Sequence, residues 1–230
     1  VKSFAQPGHA YHLRSHGIYI AESFQVTVSN CQLEHSENLG GGGNGYLYQV
    51  STTNEALIKD CIGRYGRHNF AINWDFGSIG NVFLRVESSE GRICNTLTDQ
   101  LNDTCYKGDS NIHHSLATAN LFDASVFNDG LEVGNRKTAS VGAGMTGTEN
   151  VFWNLSGTGL VRAYNLGMGY VIGTSPELEV HTDMTLTGYP YPDFYEDTAP
   201  EDFTEHLNFG DQLEPVSLYE DQLARRAAIQ

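Results

Sequence analysis

The segments VTVSNC (26–31), ALIKDC (56–61) and NVFLRV (81–86) hold the same place in three successive units of the chain. The second follows the first after 30 residues, and the third comes 25 residues later. Self-similarity at a step of that size is the mark of a fold built from stacked repeats. Each segment mixes β-branched, aromatic and polar residues and is bounded by Gly, Asn, Ser or Asp, which reads as a strand of about four to six residues. Asn30 and Asp60 then fall at equivalent turn positions. Cys31 and Cys61 sit one above the other and are expected to be free, as small apolar core residues rather than a disulfide.

The same outline continues outward. GAGMTGTENVFWNLSG and GYVIGTSPELEVHTD each give a short apolar strand, a polar turn and another strand. Before residue 200 no segment shows the 3.6-residue apolar stripe of an amphipathic helix. From residue 188 the pattern changes. GYPYPDFYEDTAPEDFTEHLNFGDQLEP holds four of the six prolines and seldom alternates, so it is expected to lie extended, with Tyr189, Tyr191, Phe194 and Phe203 as anchors. SLYEDQLARRAAIQ reads as a helix: Ser217 and Glu220 match a capping box, and Arg225 and Arg226 stand near the end. The division is a β-domain over 1–187 and a tail with a terminal helix over 188–230, packed on it.

These rungs resemble a right-handed parallel β-helix of the pectate-lyase-like superfamily, over roughly residues 17 to 185. The segments HHSLATANLFD, NDGLEVGNR and GAGMTGTENVFWN resemble a block found in secreted bacterial β-helix proteins. The fold class this implies is all-β, a right-handed solenoid with an extended C-terminal tail and a short terminal α-helix. A sandwich of eight strands is the competing architecture. It calls for hairpin turns, and Asn44-Gly45 is the clear candidate for one.

Composition narrows the partners. The net charge of −15 argues against nucleic acid, whose phosphates need a positive face. Basic residues are nevertheless concentrated, six of the thirteen lying between Lys59 and Lys107, whereas ten acids lie between Asp193 and Asp221. There is no apolar run long enough to span a membrane. The opening VKSFAQPGHAYH has neither the basic start nor the apolar centre of a signal peptide, so the chain is read as a mature form, a fragment or a protein never exported. Cys94 and Cys105 flank a polar loop that a disulfide would close, which together with two glycosylation sequons favours a secreted or cell-surface protein.

Four groups of residues are candidates for chemistry. His113 and His114 in IHHS are neighbours on an expected strand, where successive side chains alternate, so at most one of them is expected in a cleft as acid or base; one structural and one surface histidine is the alternative. In NDGLEVGNR, Asp129 and Glu132 form a candidate carboxylate pair, and Arg136 with Asn135 would bind a uronate; two successive turns explain the segment equally well. RYGRHNFAINWD contributes Arg67, His68 and Trp74 as a sugar-binding set, and Arg85 is expected to line the same groove as Arg67. The lyase branch of the superfamily uses an arginine or lysine to remove the proton alpha to a uronate carboxylate, often with Ca2+. That resemblance makes Arg67 or Arg85 the base and Asp75 a Ca2+ ligand; structural salt bridges to Asp60, Asp75 or Glu87 are the alternative. The sequence carries neither a recognisable calcium triad nor the hydrolase branch's paired aspartates. The expected function is cleavage of a polysaccharide by lyase or hydrolase chemistry. The alternatives are a non-catalytic structural or adhesive protein that assembles end to end, and a binding module without turnover.

Overall fold

The computed structural model of the chain describes residues 16–36, 45–73, 76–94, 96–138, 142–182 and 200–229. Among them the protein is all-β and mostly parallel, with one short α-helix near its C-terminal end and a single helical turn inside a disulfide loop. The first sheet takes, in spatial order, Ile18–Ala21, Tyr46–Ser51, His68–Ile72, Ser110–Ile112, Gly130–Val133, Leu160–Ala163 and Glu179–His181. The second takes Thr27–Ser29, Leu57–Lys59, Val82–Leu84, Leu121–Asp123, Val151–Leu155, Tyr170–Thr174 and Phe203–Glu205. The third has four strands: Gln32–Glu34, Ile62–Arg64, Glu87–Ser89 and Val126–Phe127. Within each sheet spatial order follows chain order. Every neighbouring pair is parallel, so no hairpin of the sandwich kind joins them.

The register agrees with the repeat read from the sequence. Thr27 pairs with Leu57 and Leu57 with Val82, which aligns the three opening segments residue for residue. Val28, Ile58, Phe83, Phe122, Phe152 and Val171 therefore form one inward row. Its phenyl rings stack, Phe83 on Phe122 at 4.6 Å and Phe122 on Phe152 at 5.5 Å. Facing them across the core are Val50, Ile72 and Ile112, and Tyr48 stacked on Phe70 at 4.7 Å. Each fully buried ring contributes roughly 1.5–3 kcal/mol. Cys31 and Cys61 are free and Cys61 is fully buried.

Two backbone devices turn this pattern into corners. Asn30, Asp60, Arg85 and Ala124 stack at the exit of the second sheet, each with φ between 48° and 54°. Asn and Asp adopt that left-handed conformation readily, whereas Arg85 and Ala124 hold it against a steric cost. Elsewhere an amide column fills a bend. Asn81 Nδ2 donates to Asn120 Oδ1, Asn120 Nδ2 to Asn150 Oδ1, and Asn150 Nδ2 to Asn165 Oδ1. Asp202 ends the column by accepting from the Asn165 amide and backbone and from the Gly167 and Gly169 N–H groups. The same asparagines also bond the backbone of adjacent rungs, so donors that would otherwise be buried alone are satisfied.

The disulfide between Cys94 and Cys105 is formed. Its loop contains a helical turn, Leu97–Leu101, that the sequence reading did not anticipate. Thr96 and Asp99 form a reciprocal capping box there, and at five residues the turn is too short for a periodic stripe. The helix Leu218–Ala227 forms where expected. Ser217 accepts from the Glu220 N–H, but the Glu220 carboxylate turns to Arg85 instead of closing the box. Pro215 O accepts from the Trp153 indole, and Asp123 accepts from the first turn of the helix, so this segment lies on the outer face of the second sheet. The expected aromatic anchors Tyr189, Tyr191 and Phe194 lie outside the described residues.

Candidate active site

The first sheet presents its polar residues where three strands begin or end. Tyr46 and His68 open consecutive strands and pair in register, so their rings stack at 5.2 Å. One strand further, Asn111 pairs with Ala71 on one side and Glu132 on the other. The strand stops at Ile112, and His113 and His114 follow it. Strict alternation therefore does not apply to them. Both rings are buried, 5.5 Å apart, and His113 lies 5.1 Å from His68 and 6.0 Å from Tyr46.

His68 Nδ1 donates to the Asp109 carboxylate at 2.8 Å and approaches the Asp109 carbonyl at 3.0 Å. With the ring proton on Nδ1, Nε2 carries a lone pair, and it is buried without a hydrogen-bond partner. Burial lowers the basicity of His68, and the bond to Asp109 offsets part of that. Burial also raises the Asp109 carboxyl, but the hydrogen bond from His68 and the nearby charges of Arg162 and Arg67 outweigh it and lower its pKa. His113 is kept neutral far below the usual imidazole range by burial, reinforced by the charges around it, among them Arg136 and Arg67. Its Nδ1 meets Asn111 Nδ2 at 2.9 Å; with the amide as donor, the His113 ring proton lies on Nε2.

Two arginines fasten this cluster. Arg67 Nη1 donates to the Tyr46 hydroxyl at 3.2 Å, and its guanidinium lies over that ring. Arg136 Nη1 donates to the His113 carbonyl. Glu132, on the row shared with Asn111, accepts from Arg162. The histidines are only 3–5% exposed, while Arg67, Asp109 and Arg136 at the rim are half-buried. Among the described residues Gln49 Oε1, Asn111 Oδ1 and Arg67 Nε are, like His68 Nε2, buried without a hydrogen-bond partner. Gln49 and Asn111 flank the small Ala71 in register, so unmet hydrogen-bonding demand gathers on one stretch of this face.

The sequence-derived residues divide accordingly. Arg67, His68, His113, His114 and Arg136 come together, and Glu132 stands on the same face. Asp129 does not join them. Its carboxylate is buried among the Ser88 hydroxyl, the Asn69 amide and the Gly91 and Gly130 N–H groups, with its pKa raised by burial to about 6. Arg85 lies on the other side of the fold, holding Asp60 and Glu220. Asn135 folds onto its own loop by accepting from the Lys137 N–H. Trp74 and Asp75 lie outside the described residues, and among the described residues no three His, Cys, Asp or Glu side chains converge as a metal site. The sequence reading missed Tyr46, Asp109 and Asn111. Asp109 opens the segment that contains the two histidines, but its partner His68 is 41 residues away, and only the sheet brings them together.

Comparison of the chain with protein-family models, with curated proteins and with solved structures finds no match. No helix among the described residues is long and apolar enough to cross a membrane.

Proposed function

We propose that the chain is a secreted right-handed parallel β-helix of the pectate-lyase-like kind that cleaves a uronate-containing polysaccharide on the outer face of its first sheet. Three parallel sheets visited in rotation support the solenoid, and the strong preference of parallel crossovers for one hand supports its handedness. The disulfide is consistent with an oxidising compartment.

The observation that carries the function is the charge and protonation of the face. Arg67, Arg136 and Arg162 stand with Asp109 and Glu132 around the buried His68 and His113, on a chain of net charge −15. Such a face suits a carboxylated sugar, whose carboxylate an arginine fork binds and whose hydroxyls meet the free amide oxygens. The test is release of reducing ends from neutral and uronate-containing polysaccharides, with and without calcium. Cleavage confined to uronate polymers and weakened in Arg136→Ala is the expected outcome; no cleavage of any polymer would reject the reading.

A second reading is a structural protein that assembles end to end. In its favour, the last strand of the second sheet, Phe203–Glu205, is exposed along its length, with Phe203 half exposed against Tyr170. Concentration-dependent filaments under the electron microscope would establish it, and a monodisperse monomer would remove it.

A further inference from the structure

We propose that the cleft between the terminal helix and the outer face of the second sheet binds a short neutral oligosaccharide, at a site separate from the candidate site on the first sheet.

Three rows of side chains line this cleft. Val28, Ile58, Phe83 and Phe122 point into the core, so their neighbours Thr27, Leu57, Val82 and Leu121, paired in register, point outward. The bend before them gives a second row, Gln25, Glu55, Gly80 and Ala119. The N–H groups of its first three members each donate to the carbonyl just before the next member. The third row lies on the helix Leu218–Ala227, where Tyr219, Gln222, Leu223 and Arg226 have the spacing of a single helical face. The open space between them is about 560 Å³, within the span of roughly 300–1,000 Å³ usual for small-ligand sites. Strands roughly 4.8 Å apart make its floor of four rungs about 14 Å long. Small residues leave the room: a Cβ at Gly80 would meet only the Glu55 Cγ, at 4.0 Å, and Ala119 contributes one methyl. The helix does not fill it, since Leu223 is 53% exposed although it shares the cleft with half-buried Leu57, Val82 and Leu121. Polar contacts at its N-terminal end, with Asp123 and Arg85, hold the helix over the sheet.

The polar groups of the cleft select the ligand. Ionised Glu55 only accepts and Arg226 only donates, whereas the Gln25 and Gln222 amides and the Thr27 and Tyr219 hydroxyls do both. Gln25 Nε2 donates to Glu55 at 2.9 Å, which sets these two side chains together at the polar end of the floor. Arg225 is held by Asp221, but Arg226 has no carboxylate partner among the described residues. One carboxylate and one guanidinium leave the cleft without net charge, so neither an anion nor a cation is favoured. The matching ligand carries many groups that both donate and accept, set around a body with apolar faces. Saccharide hydroxyls do both, and the C–H face of a pyranose ring packs on the aliphatic floor or on the Tyr219 ring. An acyl chain would cover the same floor but leave the polar rim desolvated and unpaired.

The experiment titrates the whole chain with cellotriose, xylotriose, mannotriose, maltotriose and trigalacturonate at low and high salt, by calorimetry and by ligand-observed NMR. At least one neutral trisaccharide is expected to bind with a Kd below about 1 mM, and equally well at both salt concentrations. Arg226→Ala changes an exposed helix position, so the fold is kept, and it is expected to weaken binding about tenfold. Tyr219→Ala should do the same, with the melting curve of each variant as the control for folding. Saturation with the sugar should slow trypsin cleavage at Arg225 and Arg226, because the ligand bridges helix and sheet. No binding of any neutral trisaccharide would overturn the inference. Binding of trigalacturonate alone, lost at high salt, would overturn the ligand class. Binding that falls in Arg136→Ala and not in Arg226→Ala would place the sugar on the first sheet and likewise overturn it. A neutral sugar bound in the cleft by a chain that cleaves no polymer would uphold this site and reject the reading of the first-sheet face.

Discussion

Asp123 and Ser217 stand 94 residues apart in the chain, and the Ser217 hydroxyl donates to the Asp123 carboxylate at 2.7 Å. The Tyr219 and Leu218 N–H groups donate to the same carboxylate at 2.8 and 3.3 Å. A strand of the second sheet thus caps the terminal helix, supplying the negative charge that a helix N-terminus favours. No residue of the helix is itself buried, so its place depends on this cap, the ion pair of Arg85 with Glu220 and the loop before it. Asp123→Ala is expected to destabilise the helix by about 1–2 kcal/mol and to make Arg225 and Arg226 early sites of trypsin cleavage. A digestion pattern identical to wild type would reject the dependence.

The amide column predicts a second loss. In Asn120→Leu the bond to Asn150 disappears, and the Asn81 backbone N–H and side-chain amide lose their acceptor while staying buried. Unsatisfied buried donors cost about 1–3 kcal/mol each. Urea unfolding should show a fall of that order in stability, with the m-value unchanged.

Asp129 makes stability fall with rising pH. Its folded pKa of about 6 lies above the ordinary carboxylate value, because burial outweighs its four donors. The folded state therefore holds this proton more tightly than the unfolded chain does. The contribution is full below about pH 4 and is lost as pH rises through about 6, amounting to roughly 3 kcal/mol. Asp129→Asn should remove that component: the stability difference between wild type and variant should change between pH 4 and 7 and be flat above. A constant difference over that range would reject the assignment.

Reduction of the Cys94–Cys105 bond frees a loop of sequence separation 11. Closing a loop of this size is worth roughly 3 kcal/mol in the chain-entropy account. Cys94→Ser with Cys105→Ser should lower the melting temperature, whereas reductant should leave the variant unchanged.

What the sequence determined by itself is local and periodic. The step between VTVSNC, ALIKDC and NVFLRV, the equivalent turns at Asn30 and Asp60, the short loop closed by Cys94 and Cys105 and the Ser217 cap depend on near neighbours or on repetition, and each is found in the structure. Histidines and arginines near residues 67 and 113 could be singled out by type. Their assembly could not, because it follows from register between strands far apart in the chain. Sheet pairing stacks His68 on Tyr46 and sets Asp109 against it, while carrying Arg85 to the opposite side and sealing Asp129 among donors. A shift of one residue in register turns a side chain to the other face of its sheet. Which candidates share a face was therefore decided by the tertiary structure alone.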